Sequence, residues 1–289
     1  MKRVSMRALL FSVFAVLTFS NAHAAGGVSP YAYELFRIPG IGEGIPVTNS
    51  MLMLWVITLF VIVVVRLAVR KRAMVPGHGQ AVMEMVVESV EGLIEPIVGK
   101  KLVRPTFWLL AGYFFIILVH NWSALLPLVS TIGTYDDHGH FIYWFRPANA
   151  DLNTTLALAI IAQVAWFYYV IKYAGFKTLV LDLFGNKADK KEVGKLMWIC
   201  LFPMFWVVGL IEVVSIAFRT VSLSFRLFGN VFGGENLIVN MMGIFKWVLP
   251  VPFYILEILI GLIQALVFTL LVAVYIGLIC NHESEEGHH

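Results

Sequence analysis

Six formal charges interrupt an otherwise apolar stretch that covers residues 196–280. They are Glu212, Arg219, Arg226, Glu235, Lys246 and Glu257. A charge at the centre of a bilayer costs roughly 3 kcal/mol on insertion scales, so residues of this kind usually line a route for an ion or a substrate. A carboxylate can bind and release a proton, whereas an arginine stays positively charged. These residue types predict ion movement across a membrane.

The spacing of one polar set aligns it along a single helix face. Successive members lie three or four residues apart, and a helix turns about 100° per residue. The set comprises Glu212, Ser215, Arg219, Ser222, Arg226 and Asn230. Glu235 lies nine residues after Arg226, so it points to nearly the opposite face of the same helix.

A second polar stripe lies on the last apolar segment and consists of Glu257, Gly261 and Gln264. Together the two stripes suggest two polar routes separated by Arg226. One route would pass Glu212 and Ser222, and the other would run between Glu235 and Glu257. Buried ion pairs that fix helix packing are the alternative, but the whole set is larger than packing requires.

Two of the six charges have simpler interpretations. Lys246 stands beside Trp247 and close to Pro250, as expected for an anchor at the membrane interface. For Arg219, a structural pairing partner and a place on an ion route both remain open.

The composition requires that membrane helices hold these residues. Sixty per cent of the 289 residues are AVILMFWYC, 13% are charged, and the mean hydropathy is +0.83. A soluble domain carries about 25% charged residues, so this composition excludes a soluble enzyme, a disordered tail and a nucleic-acid binder. The net charge of +3 is too small to indicate a partner. Cys200 and Cys280 both lie in apolar runs, which excludes a disulfide framework and a cysteine metal site.

The chain divides into four predicted parts. Residues 1–24 have the features of a signal peptide, namely basic residues, a short apolar run and the small-x-small sequence Ala22-His23-Ala24. An uncleaved anchor is the alternative. We expect an exported tail over 25–50, a membrane domain over 51–280 and a cytoplasmic acidic tail over 281–289.

Basic residues set the predicted orientation of the first three spans, which cover residues 51–69, 106–128 and 152–171. Residues 66–104 contain seven Lys or Arg and residues 172–195 contain six. The tail at 25–50 has only Arg37, and the loop at 129–151 has only Arg146. Because basic segments stay in the cytoplasm, this distribution places the N-terminus outside.

Two further segments have less ordinary patterns. Acidic residues and Gln80 recur every three or four positions over 80–95, which predicts an amphipathic helix. It would lie along the cytoplasmic interface or pack, exposed to water, on a partner subunit. Residues 196–250 would form a helix of about 80 Å, far longer than the roughly 30 Å hydrocarbon core. That segment crosses twice or lies strongly tilted.

The run from Ser222 to Glu235, Ser-Leu-Ser-Phe-Arg-Leu-Phe-Gly-Asn-Val-Phe-Gly-Gly-Glu, resembles the signature of subunit a of rotary F-type ATP synthases. Supporting matches are Glu257, the sequence Gln264-Ala-Leu-Val-Phe, and Ala150-Asp151-Leu-Asn153. The resemblance covers about residues 102–280 and fades in the N-terminal tail and the loops.

The resemblance implies an all-α integral membrane protein. About five crossing helices and one interfacial amphipathic helix are expected, with a single crossing over 196–250 in a long tilted helical hairpin. Together with the signal peptide, it places the chain in a bacterial inner membrane with a periplasmic N-terminus and a cytoplasmic C-terminus.

The family also implies a function, that of a non-catalytic stator. Ions enter from outside through one half-channel, reach carboxylates on a ring of c subunits, and leave to the cytoplasm through another, so that the ring turns and ATP is made. The other expected partners are the b-subunit peripheral stalk and, indirectly, the F1 head. No cofactor, resident metal or nucleic acid is expected.

Site residues follow from matched positions. Arg226 matches the essential arginine between the half-channels, with Gln264 and Asn230 nearby. The outer half-channel would contain Glu235, Glu257 and, with less direct support, Asp151 and Asn153; the inner one would contain Glu212 and Ser222.

One position departs from the family pattern. Many members have histidine where this chain has Glu257, paired with the acid at Glu235. Two neighbouring carboxylates should share a proton, so proton relay remains possible without imidazole. A sodium ion as the coupling ion also stays open.

Competing functions find less support. A secondary transporter usually shows two related halves, and no earlier repeat of the Arg226 region exists. An intramembrane enzyme would need a zinc or nucleophile motif, and ATP binding would need a P-loop; neither kind of motif occurs. We expect the histidines at 138, 140, 282, 288 and 289 to be solvated, and His120 to be a packing or interface residue.

Overall fold

The computed structural model describes residues 32–39, 44–69, 77–126, 132–135, 141–184, 195–245 and 248–286. Helices dominate these residues, and they are α1 Asn49–Ala68, α2 His78–Val98, α3 Lys100–Ser123, α4 Leu152–Tyr173, α5 Phe176–Phe184, α6 Lys195–Ile244 and α7 Pro250–Glu286. A short 3₁₀ turn covers Ala148–Ala150. The predicted signal peptide, the 136–140 loop and Lys246 lie outside the described residues.

Five of these helices are long and apolar enough to cross a membrane: Asn49–Ala68, Lys100–Ser123, Leu152–Tyr173, Pro203–Ile244 and Pro250–Ile279. This confirms the predicted all-α membrane fold. The amphipathic helix predicted over 80–95 is α2, which extends over His78–Val98 and keeps most of its side chains at the surface.

Helix α6 shows how the long apolar segment is organised. It continues without a break for 50 residues, through Gly229, Gly233 and Gly234. A segment with no turn cannot cross a membrane twice, so the double crossing is wrong for this part of the chain. The apolar part of 42 residues has an axial length of about 63 Å, roughly twice the hydrocarbon core. A strongly tilted path accommodates that length.

Two small antiparallel hairpins were not predicted. Strand β1 Glu34–Ile38 pairs with β2 Ile45–Thr48, and β3 Gly133–Tyr135 pairs with β4 Phe141–Tyr143. Their strands have three to five residues, too few for a clear alternating pattern. The first hairpin contains one irregularity, between Glu34 and Phe36.

The chain forms two compact units. The first contains residues 1–85, 113–155 and 226–266, and the second contains residues 86–112, 156–225 and 267–289. In the first unit, Met53 and Ile57 are buried and pack with Val61, Val119 and Phe145.

In the second unit, hydrogen bonds from side chains to backbone carbonyls join the helices. Trp166 Nε1 donates to the Tyr275 carbonyl at 2.8 Å, and the Tyr169 hydroxyl donates to the Pro105 carbonyl at 2.8 Å. A Cβ atom at Gly277 would meet the Ile97 carbonyl oxygen at 2.5 Å, so the two backbones approach closely at this point.

The last helix, α7, extends beyond residue 280, where the predicted membrane domain ends. The helix continues to Glu286, six residues into the tail predicted over 281–289. The cytoplasmic position of this tail stays a prediction.

Candidate functional site

Arg226 lies on an exposed face of α6. Its side chain and that of Ser222 are exposed, and Asn230 is half-buried. Since α6 is one regular helix through all three positions, the sequence-based prediction that they share a face is correct. Among the residues that the structure describes, no carboxylate forms an ion pair with Arg226.

Glu257 on α7 lies directly against α6. A Cβ atom added at Gly234 would overlap the carboxylate carbon and oxygens of Glu257. Only glycine, which has no side chain, leaves room for this approach. The predicted pair is therefore close in space, because Glu257 rests on the residue that precedes Glu235.

Glu235 is partly buried. Its Oε2 atom is covered and makes no hydrogen bond within the described part of the chain. A buried carboxylate oxygen without a partner is costly, and such atoms in a native structure usually have a functional explanation.

A buried arginine from the segment between α3 and α4 is within electrostatic range of this acid. Arg146 is 5% exposed, and its Nη2 donates to the Ala150 carbonyl at 3.1 Å. Burial lowers the pKa of the Arg146 guanidinium, while the negative charges of Glu235 and Asp151 oppose that change. Burial raises the pKa of Tyr143, and the nearby Glu235 charge raises it further. Both loop residues thus lie within electrostatic range of Glu235.

Both carboxylate oxygens of Asp151 accept hydrogen bonds. Its Oδ2 accepts a hydrogen bond from Ser50 Oγ at 2.7 Å, and its Oδ1 accepts one from the Asn153 backbone at 3.1 Å. The second bond is an N-terminal cap of α4, which satisfies a backbone N–H that the helix leaves free. The first ties this end of α4 to the first turn of α1. Asn153 itself is exposed.

A network of buried amides was not predicted. Asn149 donates to Asn121 Oδ1 at 2.8 Å, and Asn121 donates to the Gly261 carbonyl at 3.1 Å. Beside it, Trp122 Nε1 donates to the Ile258 carbonyl at 3.1 Å. The signal in the sequence was the polar run His120-Asn121-Trp122-Ser123 within an apolar span. These hydrogen bonds anchor α3 to α7 one turn beyond Glu257.

His120 is buried, as expected for a packing residue, but its Nε2 has no hydrogen bond among the described residues. It is 1% exposed, and its Nδ1 lies 2.7 Å from the Ile116 carbonyl oxygen. The ring therefore binds the backbone of its own helix, one turn earlier.

In the second unit, Arg219 lies between two aromatic rings. Its guanidinium carbon is 3.5 Å from the Tyr275 ring centroid and 5.9 Å from that of Trp166. A cation over aromatic faces is attracted to their π electrons. Of the two interpretations left open by the sequence, the structure favours a structural partner. Glu212 is half-buried and within electrostatic range of Arg219.

Gln264 is the last of the predicted site residues. Gln264 is half-buried on α7, seven residues after Glu257, which places both on one face.

The described residues contain no group of three His, Cys, Asp or Glu side chains that could hold a metal ion. His138, His140, His288 and His289 lie outside them.

Comparisons with known proteins show which family the chain resembles. Residues 51–277 match a family model described as ATP synthase A chain. The ATP synthase subunit a of Geotalea daltonii is 31% identical over 249 residues, which cover 86% of this chain and 92% of that protein. The ATP synthase subunit a of Geotalea uraniireducens is 32% identical over 234 residues, which cover 81% and 86%, respectively.

The family match covers most of the chain and includes the α6 and α7 residues described above. Five apolar helices supply the membrane domain that such a subunit needs. The chain therefore belongs to the ATP synthase subunit a family, whose members are non-catalytic stator subunits of the membrane-embedded F0 sector.

Proposed function

We propose that this chain conducts protons, or sodium ions, through two offset half-channels to and from the carboxylates of a c-subunit ring. Ion flow then turns the ring, and rotation drives ATP synthesis in the F1 head. The b-subunit peripheral stalk holds the chain still against the ring. The membrane is a bacterial inner membrane, with the N-terminus in the periplasm and the C-terminus in the cytoplasm.

The exposed, unpaired state of Arg226 among the described residues carries this proposal. A charge on an apolar membrane helix is costly without a counter-ion. The arginine stays protonated at every workable pH, so it attracts anions permanently. A membrane-embedded carboxylate on a neighbouring subunit supplies the missing counter-ion and neutralises the charge.

Arg226 also explains the separation of the two routes. A ring carboxylate that arrives at Arg226 gives up its ion, because the ionised form is the one the guanidinium stabilises. A bare proton meets a fixed positive charge and does not pass straight across. An ion therefore reaches the other route only on a carboxylate that has travelled around the ring. Asn230 and Gln264 supply polar groups near this transfer point.

The outer route runs past Glu235 and Glu257. The Glu257 carboxylate lies against Gly234, beside Glu235, and two adjacent acids can pass a proton between them without a histidine. Asp151 and Asn153 stand at the outer end of α4, where Asp151 fixes the entrance through its bonds to Ser50 and to the helix start. The inner route passes Glu212 and Ser222.

Co-isolation tests the assignment against an ion-coupled secondary transporter. The chain, tagged at its C-terminus, is purified from membranes in mild detergent and reconstituted in vesicles. We expect a c-ring and the soluble ATPase head in the preparation, and ATP-driven acidification of the vesicle interior. If the chain purifies without these partners and couples ion movement to the transport of a solute, it is a secondary transporter and the proposal is wrong.

A further inference from the structure

Two arginines lie on one face of α6, and their surroundings differ. Arg219 and Arg226 are seven residues apart in an unbroken helix, which places them within about 20° of each other around the helix and about 10 Å apart along it. Arg226 is exposed, whereas Arg219 is half-buried. Neither forms an ion pair with a carboxylate among the described residues. One face of α6 thus carries two permanent positive charges.

Aromatic rings cover the guanidinium of Arg219. Its Cζ atom lies 3.5 Å from the centroid of the Tyr275 ring and 5.9 Å from that of the Trp166 ring. Trp166 is 4% exposed, and its Nε1 donates to the Tyr275 carbonyl at 2.8 Å, which joins α4 to α7 at this point. A guanidinium stacked on an aromatic face is attracted by the π electrons of the ring. This attraction holds the Arg219 side chain against α7.

The helix surface on either side of Arg219 is open. Ser215 and Ser222, its neighbours about one turn away in each direction, both have exposed side chains. The half-burial of Arg219 therefore comes from the two rings and not from a general covering of this part of α6. An arginine head group extends toward water or an anion when nothing holds it. Without the Tyr275 ring, we expect the guanidinium to lie among these exposed side chains.

We propose that Tyr275 is a positioning residue that keeps Arg219 away from the ring carboxylates, so that Arg226 is the arginine they meet. The proposal deepens the function proposed above and rests on it. A carboxylate that paired with a free Arg219 would lose its ion about 10 Å from the proposed transfer point. It would also be held there, because a guanidinium stabilises the ionised form. A free Arg219 would therefore compete with Arg226 and slow the rotation of the ring.

Paired variants test this proposal in the reconstituted complex, with the rate of ion-driven ATP synthesis normalised to the amount of assembled complex. Tyr275→Leu removes the ring and should raise the ratio of free to stacked Arg219, and lower the rate of synthesis, by roughly tenfold. Tyr275→Phe keeps the aromatic face and should leave the rate near that of the unaltered complex. Adding Arg219→Gln to Tyr275→Leu removes the competing charge and should restore most of the rate.

Fluorinated phenylalanines in place of Tyr275 give a second test that keeps the shape of the ring. Fluorine withdraws electron density from the aromatic face, so each added fluorine weakens the attraction for a cation. The rate of synthesis should fall with the number of fluorines when Arg219 is present and stay constant in the Arg219→Gln chain.

A contact that only packs the helices would give different results. Arg219→Gln alone would then lower the rate as much as Tyr275→Leu does, and the double variant would be no better than either, which would overturn the proposal. An unchanged rate in Tyr275→Leu would also overturn it. Normal coupling in an Arg226→Ala complex would instead overturn the proposed function.

Discussion

The Arg226→Ala variant is expected to lose both ion-driven ATP synthesis and ATP-driven pumping. In the proposed function, Arg226 is the permanent charge that removes ions from the ring carboxylates and blocks a direct path. Its side chain is exposed on α6 and forms no ion pair among the described residues, as the proposed pairing with a carboxylate of the ring requires. Both activities are measured on the same reconstituted complex, by luciferase detection of ATP and by a pH-sensitive dye.

Arg104→Ala is the matched control for this variant. Arg104 is an exposed arginine near the start of α3, outside the proposed half-channels. The control complex should make ATP at the unaltered rate. Normal coupling in Arg226→Ala, at normal levels of assembled complex, would contradict the role given to this residue.

The Gly234→Ala variant is expected to lower ion-driven ATP synthesis by roughly ten- to a hundredfold, the cost of displacing a reacting group by about 1 Å. The new Cβ atom would occupy the space of the Glu257 carboxylate. Alanine favours a helix over glycine by about 1 kcal/mol, so α6 itself should not be weakened. A loss of synthesis would therefore report on the acid pair, and the rate of ATP synthesis in vesicles measures it.

Gly243→Ala controls for the change of residue type. Gly243 is also in α6 but has no atom within 4 Å of an added Cβ. It is offset from Arg226 by about a quarter turn, away from the proposed ring contact. The control should synthesise ATP normally. Shortening the acid with Glu257→Asp in the Gly234→Ala chain should restore part of the rate; equal rates in the two glycine variants would contradict the proposed contact.

The sequence was sufficient to predict the crossing helices, the amphipathic helix α2 and the face that carries Arg226, but not the short helix α5. Apolar runs predicted the crossing helices, because a bilayer excludes unpaired backbone groups and so requires regular structure. Once α6 is one helix, the three- and four-residue spacing of Ser222, Arg226 and Asn230 places them on a common face. These inferences concern residues that are close together along one helix, so their spacing in the sequence is enough to make them.

The contacts between helices could not be predicted in this way. The approach of Glu257 to Gly234 depends on how α7 packs on α6, and a glycine in a helix has several possible reasons to be there. The position of Arg219 between Tyr275 and Trp166 depends on three segments of the chain. Neither contact has a signature in the spacing of residues along one helix.

The side-chain positions in the segment between α3 and α4 could not be predicted for a different reason. Arg146 and Asp151 stand five residues apart in a segment with little regular structure, so no periodic pattern indicates where their side chains point. The structure shows Arg146 buried and Asp151 bonded to Ser50, a residue 101 positions earlier. The resemblance drew attention to Asp151 as an entrance residue, and its cap of α4 gives a physical reason for that position.

Side-specific labelling tests the central claim, that two half-channels open to opposite sides of the membrane. Cys200 and Cys280 are first replaced with serine, and single cysteines are introduced as Ser222→Cys and Glu257→Cys. A small membrane-impermeant thiol reagent is then added to right-side-out or inverted vesicles. We expect the Ser222→Cys variant to react from the cytoplasmic side only and the Glu257→Cys variant to react from the outer side only. Reaction of both from the same side would contradict the claim.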